Sequence, residues 1–393
     1  MKIAFITHYT SLYGANRSLL SLIDGLREYD VEPHVIVPAE GDITKELNNR
    51  SVPFALIPLQ FWVDTKDFGN FGVRWLERYI RWRCRTIKHL CRNIKALPSL
   101  IRTINLWNID IVYTNSSVTP MGAIIAQITH RPHIWHLREF GDLDYGLVPD
   151  WGKTVFLYYI RKADAKIAVS KAIKEYYLKN KNFNNVYVIY NGIASRARFD
   201  QLYNNEGSRV IRKQDKPYTF TLVGLIHPHK GQDTAIRALE ILSKDHPKVR
   251  LLIVGAGNTK HLESLASELG VEDNVEFWGH IKDPYEAYLK ADAVLMCSKY
   301  EAMGRVTVEA MSACRPVIGY DQAGTSELIK HGYNGLLYNG EAEELANCMK
   351  QFITNPRWAC ELGKNGWNFA REECCIENYS KSIHEVLSSV YSK

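Results

Sequence analysis

The stretch AVLMCSKYEAMGRVTVEAMSACRPVIGY, residues 293–320, contains the features that decide the fold. Its two ends, 293–298 and 315–320, are short apolar runs with the length of buried strands. Between them, Gly304 precedes a helical pattern. A strand, a helix and a second strand in close succession predict a crossover unit, in which the two strands lie parallel in one sheet.

The same alternation of strands and helices continues through both halves of the chain. Further strand-like runs lie at 3–7, 34–38, 109–114, 133–137, 165–170, 186–190, 218–224, 249–255 and 274–279. A chain of 393 residues is too long for one core, because single cores stop growing near roughly 250 to 300 residues. A polar stretch at about 204–216 separates the halves. We therefore predict an α/β protein with Rossmann-like domains at 1–200 and 201–370.

Composition and charge narrow the class of protein. The start, MKIAFITHYT, has the pattern of a first strand rather than of a signal peptide, and no run approaches the ~20 apolar residues of a membrane span. The eight cysteines show no CxxC pair and no zinc spacing, so we expect reduced thiols in a cytoplasmic protein. Residues 1–190 contain 25 basic and 17 acidic residues, against 24 and 26 in residues 191–393. This asymmetry indicates that the first half meets a polyanion or an anionic surface.

Two acids in the quoted stretch are candidate functional groups. Glu301 should lie in the loop after the strand, and Glu309 in the second turn of the helix. The amides of a helix N-terminus are unpaired and carry the positive end of the dipole, so a diphosphate over 305–307 would be held without a metal ion. The alternative is two solvent-facing acids at a helix start, where the dipole favours acids anyway.

Several segments resemble one enzyme family. EAMGRVTVEAM (301–311) resembles the Glu-(seven residues)-Glu signature of family-four retaining glycosyltransferases. Four more segments, which cover much of the chain, resemble other parts of that family: VGLIHPHKGQDTAIRA, IAVSKAIKEYY, VIYNGI and AGTSELIKHGYNGLL. The resemblance implies a GT-B fold, with two facing Rossmann-like domains and an interdomain cleft. By the same analogy, a C-terminal helix at about 371–393 packs back on the first domain.

The resemblance also implies roles for individual residues of the donor site. Glu301 would contact the donor sugar near the reacting carbon, Glu309 the ribose hydroxyls and Lys230 the diphosphate. The remaining donor-binding residues that it implies are Gly304, Arg305, Val306, Thr307 and Ile281, with Gly14 and Ala15 in the loop YGANRSL. The family usually has an arginine early in the loop that contains Lys230, where this chain has Leu225. Whether Lys230 acts alone, or with Arg305 or His229, stays open.

On the acceptor side, IWHLREFGD (134–142) resembles the family segment whose histidine approaches the donor sugar. That residue would be His136, with Arg138 and Glu139 following it on the acceptor side. The alternative is a core histidine at a strand end, and alternation along the strand allows His133 in its place. The run Asp142-Leu143-Asp144 imitates a metal-binding Asp-x-Asp, but such patterns are common by chance. We expect no metal and no other cofactor, with the nucleotide sugar as co-substrate.

Residues 71–109 contain a single acid, Glu77, within a strongly basic amphipathic pattern. Basic residues recur at spacings of three and four, which is one stripe of a helix: Arg74, Arg78, Arg81, Arg85, Lys88, Arg92 and Lys95. Roughly 180° away lie aliphatic residues: Leu76, Ile80, Ile87, Leu90, Ile94 and Leu97. We expect Pro98 to end the helix. The one-sided charge predicts docking on an anionic membrane surface; a surface helix with its apolar side on the core, or a polyanionic partner, are the alternatives.

Together these features predict a metal-independent hexosyl-type retaining glycosyltransferase on the cytoplasmic face of the membrane. It would move a sugar from a UDP- or GDP-linked donor to a hydroxyl of a lipid-linked saccharide, in polysaccharide biosynthesis at the cell surface. One competing interpretation is a nucleotide-sugar epimerase of the same architecture. Another is a non-enzymatic polyanion-binding protein, although we expect no nucleic-acid partner, because no strand carries alternating aromatic residues for base stacking.

Overall fold

The structure is a computed structural model that describes residues 1–65, 73–179, 183–206 and 216–392. The chain forms two compact units. One contains Met1–Gly192 together with Ile376–Lys393, and the other contains Ile193–Cys375. In the described part of the chain, no helix is both long enough and apolar enough to cross a bilayer.

The first unit is built around a parallel sheet. Its strands are β1 (Lys2–Ile6), β2 (Glu32–Val37), β3 (Phe54–Leu56), β4 (Val63–Thr65), β5 (Ile111–Thr114), β6 (His133–Leu137), β7 (Leu147–Pro149), β8 (Ala165–Ala168) and β9 (Val186–Val188). The helices of its N-terminal part are α1 (Gly14–Leu26), α2 (Asp42–Asn49), α3 (Val73–Leu106), α4 (Met121–Thr129), α5 (Asp142–Tyr145), α6 (Gly152–Lys162) and α7 (Lys171–Leu178). Seven strands pair in the order β3-β2-β1-β5-β6-β8-β9, and β4 and β7 form a separate antiparallel pair.

The second unit repeats this plan with six parallel strands. They are β10 (Thr219–Val223), β11 (Arg250–Val254), β12 (Val275–Gly279), β13 (Ala293–Met296), β14 (Val317–Tyr320) and β15 (Leu336–Tyr338). Its helices are α8 (Arg196–Glu206), α9 (Gln232–Ser243), α10 (Lys260–Glu268), α11 (Tyr285–Lys290), α12 (Arg305–Ser312), α13 (Ala323–Leu328), α14 (Ala342–Thr354) and α15 (Pro356–Glu373). The strand order is β12-β11-β10-β13-β14-β15. The prediction of an α/β fold with parallel sheets in two domains is confirmed.

The last helix, α16 (Ile376–Tyr391), belongs to the first unit. Its apolar residues Tyr379, Ile383 and Leu387 join the core cluster that also contains residues of α1. The two helices approach closely at Gly25, where an added Cβ would lie 2.7 Å from the Cβ of Ser380. Burial of this apolar face explains why the chain returns to the first unit after it has completed the second.

The unit boundary differs by a few residues from the one we predicted at residue 200. Residues 193–200 lie in the second unit. There Ala194 forms a β-bridge with Cys375, and the carboxylate of Asp200 accepts hydrogen bonds from Arg371 at 2.6 and 2.9 Å. These contacts fix the start of α8 on α15, a pairing that sequence patterning does not reveal.

Helix α3 corrects one expectation outright: Pro98 does not end it. The helix continues through Pro98 to Leu106. A proline inside a helix removes one backbone hydrogen bond and costs roughly 3 kcal/mol. The turns beyond Pro98 offset that cost, because Leu100 and Ile104 are completely buried in a core cluster with residues of β1, β5 and α4.

The structure also contradicts the alternative interpretation of α3 as a surface helix whose aliphatic side packs on the core. The side that faces the unit carries Trp82, Thr86, Asn93 and Ala96, all buried. The aliphatic stripe is instead open to solvent, with exposed fractions of 53% for Leu76, 52% for Ile80, 53% for Ile87, 39% for Leu90 and 54% for Ile94. Leu97, the last residue of the predicted stripe, is half-buried and packs on the core. The first half of α3 therefore has an apolar face that the unit does not cover.

Candidate functional site

The second unit places a charged pair at the centre of its sheet. β10 and β13 are neighbours, and the strand order reverses between them. In open α/β sheets, ligands bind outside the carboxyl ends of the strands at such a switch point. Lys230 follows β10 and Glu301 follows β13; the ammonium of Lys230 donates to the Glu301 carboxylate. The side chains are 23% and 17% exposed, so the pair is still open to a ligand.

A rigid turn positions Lys230. It is the last residue of a 3-10 turn, Pro228–Lys230, and Gly231 follows it with φ of +71°. An added Cβ at Gly231 would lie 2.5 Å from the carbonyl oxygen of Cys297, so only glycine fits this close approach to the end of β13. Gln232, which is buried, donates its amide to the carbonyl oxygen of Leu225 at 2.9 Å. The loop is therefore held at both ends before any ligand arrives.

Glu301 lies in a loop that main-chain contacts fix. Its own carbonyl oxygen accepts from Gly324 N at 2.8 Å, and an added Cβ at Gly324 would lie 2.6 Å from the carbonyl oxygen of Ala302. The loop then turns at Gly304, whose φ of +89° favours glycine, and enters α12 at Arg305. The carboxylate is thus presented immediately before a helix N-terminus, as the sequence predicted.

One of the amides expected to face an anion at the start of α12 is already hydrogen-bonded. Thr307 N donates to the carbonyl oxygen of Gly304 at 3.0 Å. The amides of Arg305 and Val306 precede this bond in the first turn of the helix, and both residues are half-buried. The hydroxyl of Thr307 is buried and finds no hydrogen-bond partner among the residues that the structure describes.

Glu309 lies one turn further along α12, and its side chain is only 5% exposed. Arg305 Nε donates to its Oε1 at 2.8 Å, and the Tyr288 hydroxyl donates to its Oε2 at 3.0 Å. Burial, with the Glu309 charge as the next cause, raises the pKa of Tyr288 well above its usual range and that of Tyr285 to about 12. Both tyrosines are therefore neutral donors at neutral pH. Tyr288 could not be identified from the sequence, because its helix α11 carries no motif.

Two further residues lie at the carboxyl edge of the same sheet. Ile281 follows β12 and packs, half-buried, against a small cluster of Leu252, Val254 and Ala287. Leu225, at the position where the resembling family usually has an arginine, is 45% exposed. An exposed aliphatic side chain cannot bind a phosphate as an arginine would, so Leu225 supplies no cation at this edge.

The first unit has its own switch point, between β1 and β5. α1 begins at Gly14, which is exposed; no atom lies within 4 Å of an added Cβ, and its φ is not in the left-handed region. Neither packing nor backbone geometry therefore requires glycine there. Ala15 is fixed through its carbonyl oxygen, which accepts from Asn115 Nδ2 at 3.2 Å after β5. No motif in the sequence marks Asn115 as a contact of this loop.

His136 lies inside the core, and this differs from its predicted position beside a sugar. Its side chain is completely buried, and Nδ1 lies 2.6 Å from the hydroxyl oxygen of Tyr113. All five residues of β6 are buried, because helices cover both faces of a parallel sheet. Alternation could not identify an open face where neither face is open. His133, the other option, is also buried, with Nε2 2.7 Å from Thr114 Oγ1. The alternative interpretation, a satisfied core histidine, describes His133; His136 is equally buried, but its Nε2 finds no hydrogen-bond partner among the residues that the structure describes.

Arg138 and Glu139 follow β6 at the carboxyl edge. Arg138 is buried and donates to Asn115 at 2.8 Å, to Asn191 at 2.5 Å and to the hydroxyl of Tyr379 in α16 at 2.8 Å. Arg138 therefore joins the last helix to the sheet edge. Glu139 is half-buried, and its Oε1 accepts from the hydroxyls of Ser116 and Ser117 and from Ser117 N at 2.6 Å.

The two aspartates of the Asp-x-Asp imitation have separate structural partners. The carboxylate of Asp142 accepts from the hydroxyl of Tyr176, and Asp144 Oδ2 accepts from Phe140 N at 3.1 Å. Among residues 1–65, 73–179, 183–206 and 216–392, no three His, Cys, Asp or Glu side chains are grouped so as to hold a metal ion.

The predicted basic stripe lies along the solvent side of α3. Arg78, Arg81, Arg85, Lys88, Arg92 and Lys95 are exposed, and the side chain of Arg74 lies outside those that the structure describes. Arg85 Nε forms an ion pair with Asp64 at 2.7 Å, which offsets one of the charges.

The burial of His133 and His136 should make the protein less stable in acid. Burial is the main cause that lowers the pKa of His133 to about 3 and that of His136 well below its usual 6.5. A lowered pKa in the folded state means that only the unfolded chain takes up these protons between pH 6.5 and about 3, so stability must fall as the pH falls. We expect His133 alone to lower the free energy of unfolding of the first unit by about 2 kcal/mol when the pH falls from 7.5 to 5. Urea unfolding at both pH values measures this, and a flat profile would contradict it.

Both halves of the chain are similar in sequence to known glycosyltransferases. Residues 13–196 match the family described as Glycosyltransferase Family 4, and residues 204–369 match Glycosyl transferases group 1. An uncharacterized glycosyltransferase of Methanocaldococcus jannaschii, MJ1607, is 30% identical over 295 residues, which are 71% of this chain and 72% of that protein. The chain belongs to the group 1 glycosyltransferases. The resemblance stated from its motifs is thereby confirmed.

Solved structures place the glycosyltransferase in the same fold group. HepE of Anabaena, crystallised with UDP, superposes with a TM-score of 0.78 at 23% identity, covering 99% of this chain and 100% of HepE. Sucrose-phosphate synthase of Thermosynechococcus elongatus superposes with a TM-score of 0.75 at 18% identity, covering 100% and 99%. At these identities the likeness establishes the fold, which is of the GT-B type.

Proposed function

We propose that this glycosyltransferase moves a hexosyl group, with retention of configuration, from a UDP- or GDP-linked donor to a hydroxyl of a saccharide acceptor. The single observation that carries the proposal is the Lys230–Glu301 pair at the switch point of the second unit. A carboxylate, an ammonium and a helix N-terminus together match the sugar and the diphosphate of such a donor. HepE was solved with UDP and with UDP-glucose, which supports a UDP sugar as the first donor to test.

In the proposed complex the diphosphate lies over the amides of Arg305 and Val306, and Lys230 turns from Glu301 to the phosphate. Breaking the bond between the sugar C1 and the diphosphate oxygen leaves negative charge on the diphosphate. A fixed ammonium and helix amides stabilise this charge more in the transition state than in the ground state. The acceptor oxygen then bonds to C1 from the same face, and its proton passes to a diphosphate oxygen. Lys230 and the amides supply the counter-charge, so we propose that no metal ion is needed.

Glu309 would hold the ribose of the donor. Both of its oxygens already accept from protein donors, so the ribose hydroxyls must share or replace one of these contacts. Arg305 is the partner that can move, because its side chain is 20% exposed whereas Tyr288 is fully buried. Ile281, and Gly14 with Ala15 in the first unit, complete the proposed donor contacts.

The acceptor is proposed to be a lipid-linked saccharide that the first unit binds, with Glu139 at the carboxyl edge of its sheet. One short segment connects that edge with α3. Trp62 Nε1 donates to the carbonyl oxygen of Ser117 at 2.9 Å, and Asp64, two residues later, pairs with Arg85. A membrane bound through the basic stripe would supply about 1 kcal/mol per basic residue in contact, enough for a salt-sensitive peripheral attachment. The enzyme would then act in polysaccharide synthesis on the cytoplasmic face.

A thermal-shift panel of UDP and GDP sugars tests the donor. A ligand at 100 times its Kd adds about 2.7 kcal/mol of stability, which corresponds to about 5–10 °C for a unit of this size. We expect such a shift with one nucleotide class, unchanged by EDTA. No shift with any member of the panel would remove the donor site. Conversion of the sugar nucleotide to an epimer without acceptor would favour the epimerase.

A further inference from the structure

We propose that α3 inserts its exposed aliphatic stripe into the acyl layer of an anionic membrane, in addition to touching the headgroups with its basic residues. The aliphatic stripe is Leu76, Ile80, Ile87, Leu90 and Ile94. This inference deepens the electrostatic attachment proposed above, but it rests on separate observations: the exposure of the stripe and the way in which the helix is fixed.

The stripe is narrow, and the exposed Arg83 interrupts it between Ile80 and Ile87, with its guanidinium carbon 4.8 Å from the ring centroid of Trp82. At about 100° per residue, its five side chains lie within about 80° around the helix axis. Each is between 39% and 54% exposed. Exposed aliphatic residues scattered singly are ordinary on protein surfaces, whereas five along one face of a single helix mark an interaction surface.

The helix cannot roll to bury this row. Asn93, on the buried face, accepts from Gln60 N at 2.8 Å and donates to the carbonyl oxygen of Gln60 at 3.2 Å. Arg85 is tied to Asp64 on one side of that face. Trp82, 4% exposed, packs into the unit on the same face. Turning the stripe inward would break all of these contacts together.

The charge on the side of α3 opposite the stripe indicates which partner the helix binds. Arg78, Arg81 and Arg85, with Lys88, Arg92 and Lys95 in the next turns, lie about 150° from its centre and are exposed. A helix with one aliphatic and one basic face lies in the plane of a membrane interface, its apolar side in the acyl layer and its cations at anionic headgroups. A second copy of the chain is a poorer partner, because a stripe-to-stripe contact would leave the basic residues of both helices pointing away from the partner and without a counter-charge.

Two exposed cysteines provide a direct probe of depth. Cys84 and Cys91 lie beside the stripe and are exposed, whereas Cys297, Cys314, Cys348, Cys374 and Cys375 are buried and Cys360 is half-buried. An environment-sensitive dye on Cys91, in a Cys84→Ser background, should shift to the blue on vesicles containing phosphatidylglycerol. Lipids brominated in the acyl chain should quench it. The Cys84→Ser/Cys91→Ser protein gives the background labelling.

Vesicle flotation with matched variants decides the question. The triple variant Ile80→Gln/Ile87→Gln/Ile94→Gln should lose at least tenfold in partitioning, whereas Leu106→Gln/Ile128→Gln, exposed elsewhere on the same unit, should not. In 0.5 M salt, where screening acts within about 4 Å, the wild type should keep part of its binding.

Equal binding by the triple variant and the wild type would overturn insertion, as would light scattering that shows a dimer lost only in the triple variant. Flotation needs neither donor nor acceptor, so sugar transfer can fail without affecting this result. Thermal melting of all variants controls for folding.

Discussion

The Glu301→Gln variant is expected to lower kcat about a thousandfold while Kd for the nucleotide changes by no more than a few-fold. Glutamine has nearly the same shape as glutamate, so what it removes is the negative charge. We propose that this charge lies near the sugar C1, where positive charge develops as the bond to the diphosphate breaks. An interaction made mainly in the transition state affects kcat rather than binding.

The loop should survive this substitution. Its position depends on the main-chain bond from Gly324 N to the Glu301 carbonyl oxygen and on the turn at Gly304, and neither involves the carboxylate. The measurement is the initial rate of nucleotide release from the sugar nucleotide that the thermal-shift panel selects, with calorimetry for the free nucleotide. Glu343→Gln, exposed on α14 of the same unit, is the matched control. Full activity of Glu301→Gln would remove Glu301 from the chemistry.

The sequence predicted the strands that have enough apolar residues to form a pattern. Every run that we assigned as a strand contains one in the structure. The four strands that were not predicted, β3, β4, β7 and β15, have three residues each. Segments such as VDT or LVP are too short for alternation to be visible, and their pairing depends on residues far away in the chain.

The residues of the candidate site were likewise predictable from the sequence only in part. Lys230 and Glu301 are 71 residues apart, yet both follow strands, and parallel topology brings strand ends to one edge. Topology does not determine which way a side chain points. The burial of His136 and the Arg138–Tyr379 bond, which joins residues 241 apart, depend on packing that no local pattern encodes. The exposed stripe of α3 was missed for the same reason, since an aliphatic periodicity reveals a face and not what covers it.

The Lys230→Met variant is expected to lower kcat/KM between a hundredfold and a thousandfold, and to weaken binding of the free nucleoside diphosphate about tenfold. Methionine keeps the aliphatic chain and removes the ammonium. The diphosphate then loses its fixed cation in the ground state and, to a greater extent, in the transition state, where its charge grows. Loss of affinity together with rate distinguishes this variant from Glu301→Gln. Calorimetry with UDP and GDP, and rates over a range of donor concentrations, separate the two effects.

Two controls make this test specific to Lys230. Lys230→Arg keeps the charge and should recover part of the lost rate, although its larger head does not fit the same geometry. Lys244→Met removes a lysine that is 67% exposed and pairs with Glu240, and it should leave both constants unchanged. Because Lys230 and Glu301 are in contact, their substitutions should not be additive: the double variant should lose less than the product of the two single losses. Nucleotide affinity unchanged in Lys230→Met would mean that Lys230 does not bind the diphosphate and only holds Glu301 in place. Strict additivity would mean that the two residues act independently and that their contact plays no part in catalysis.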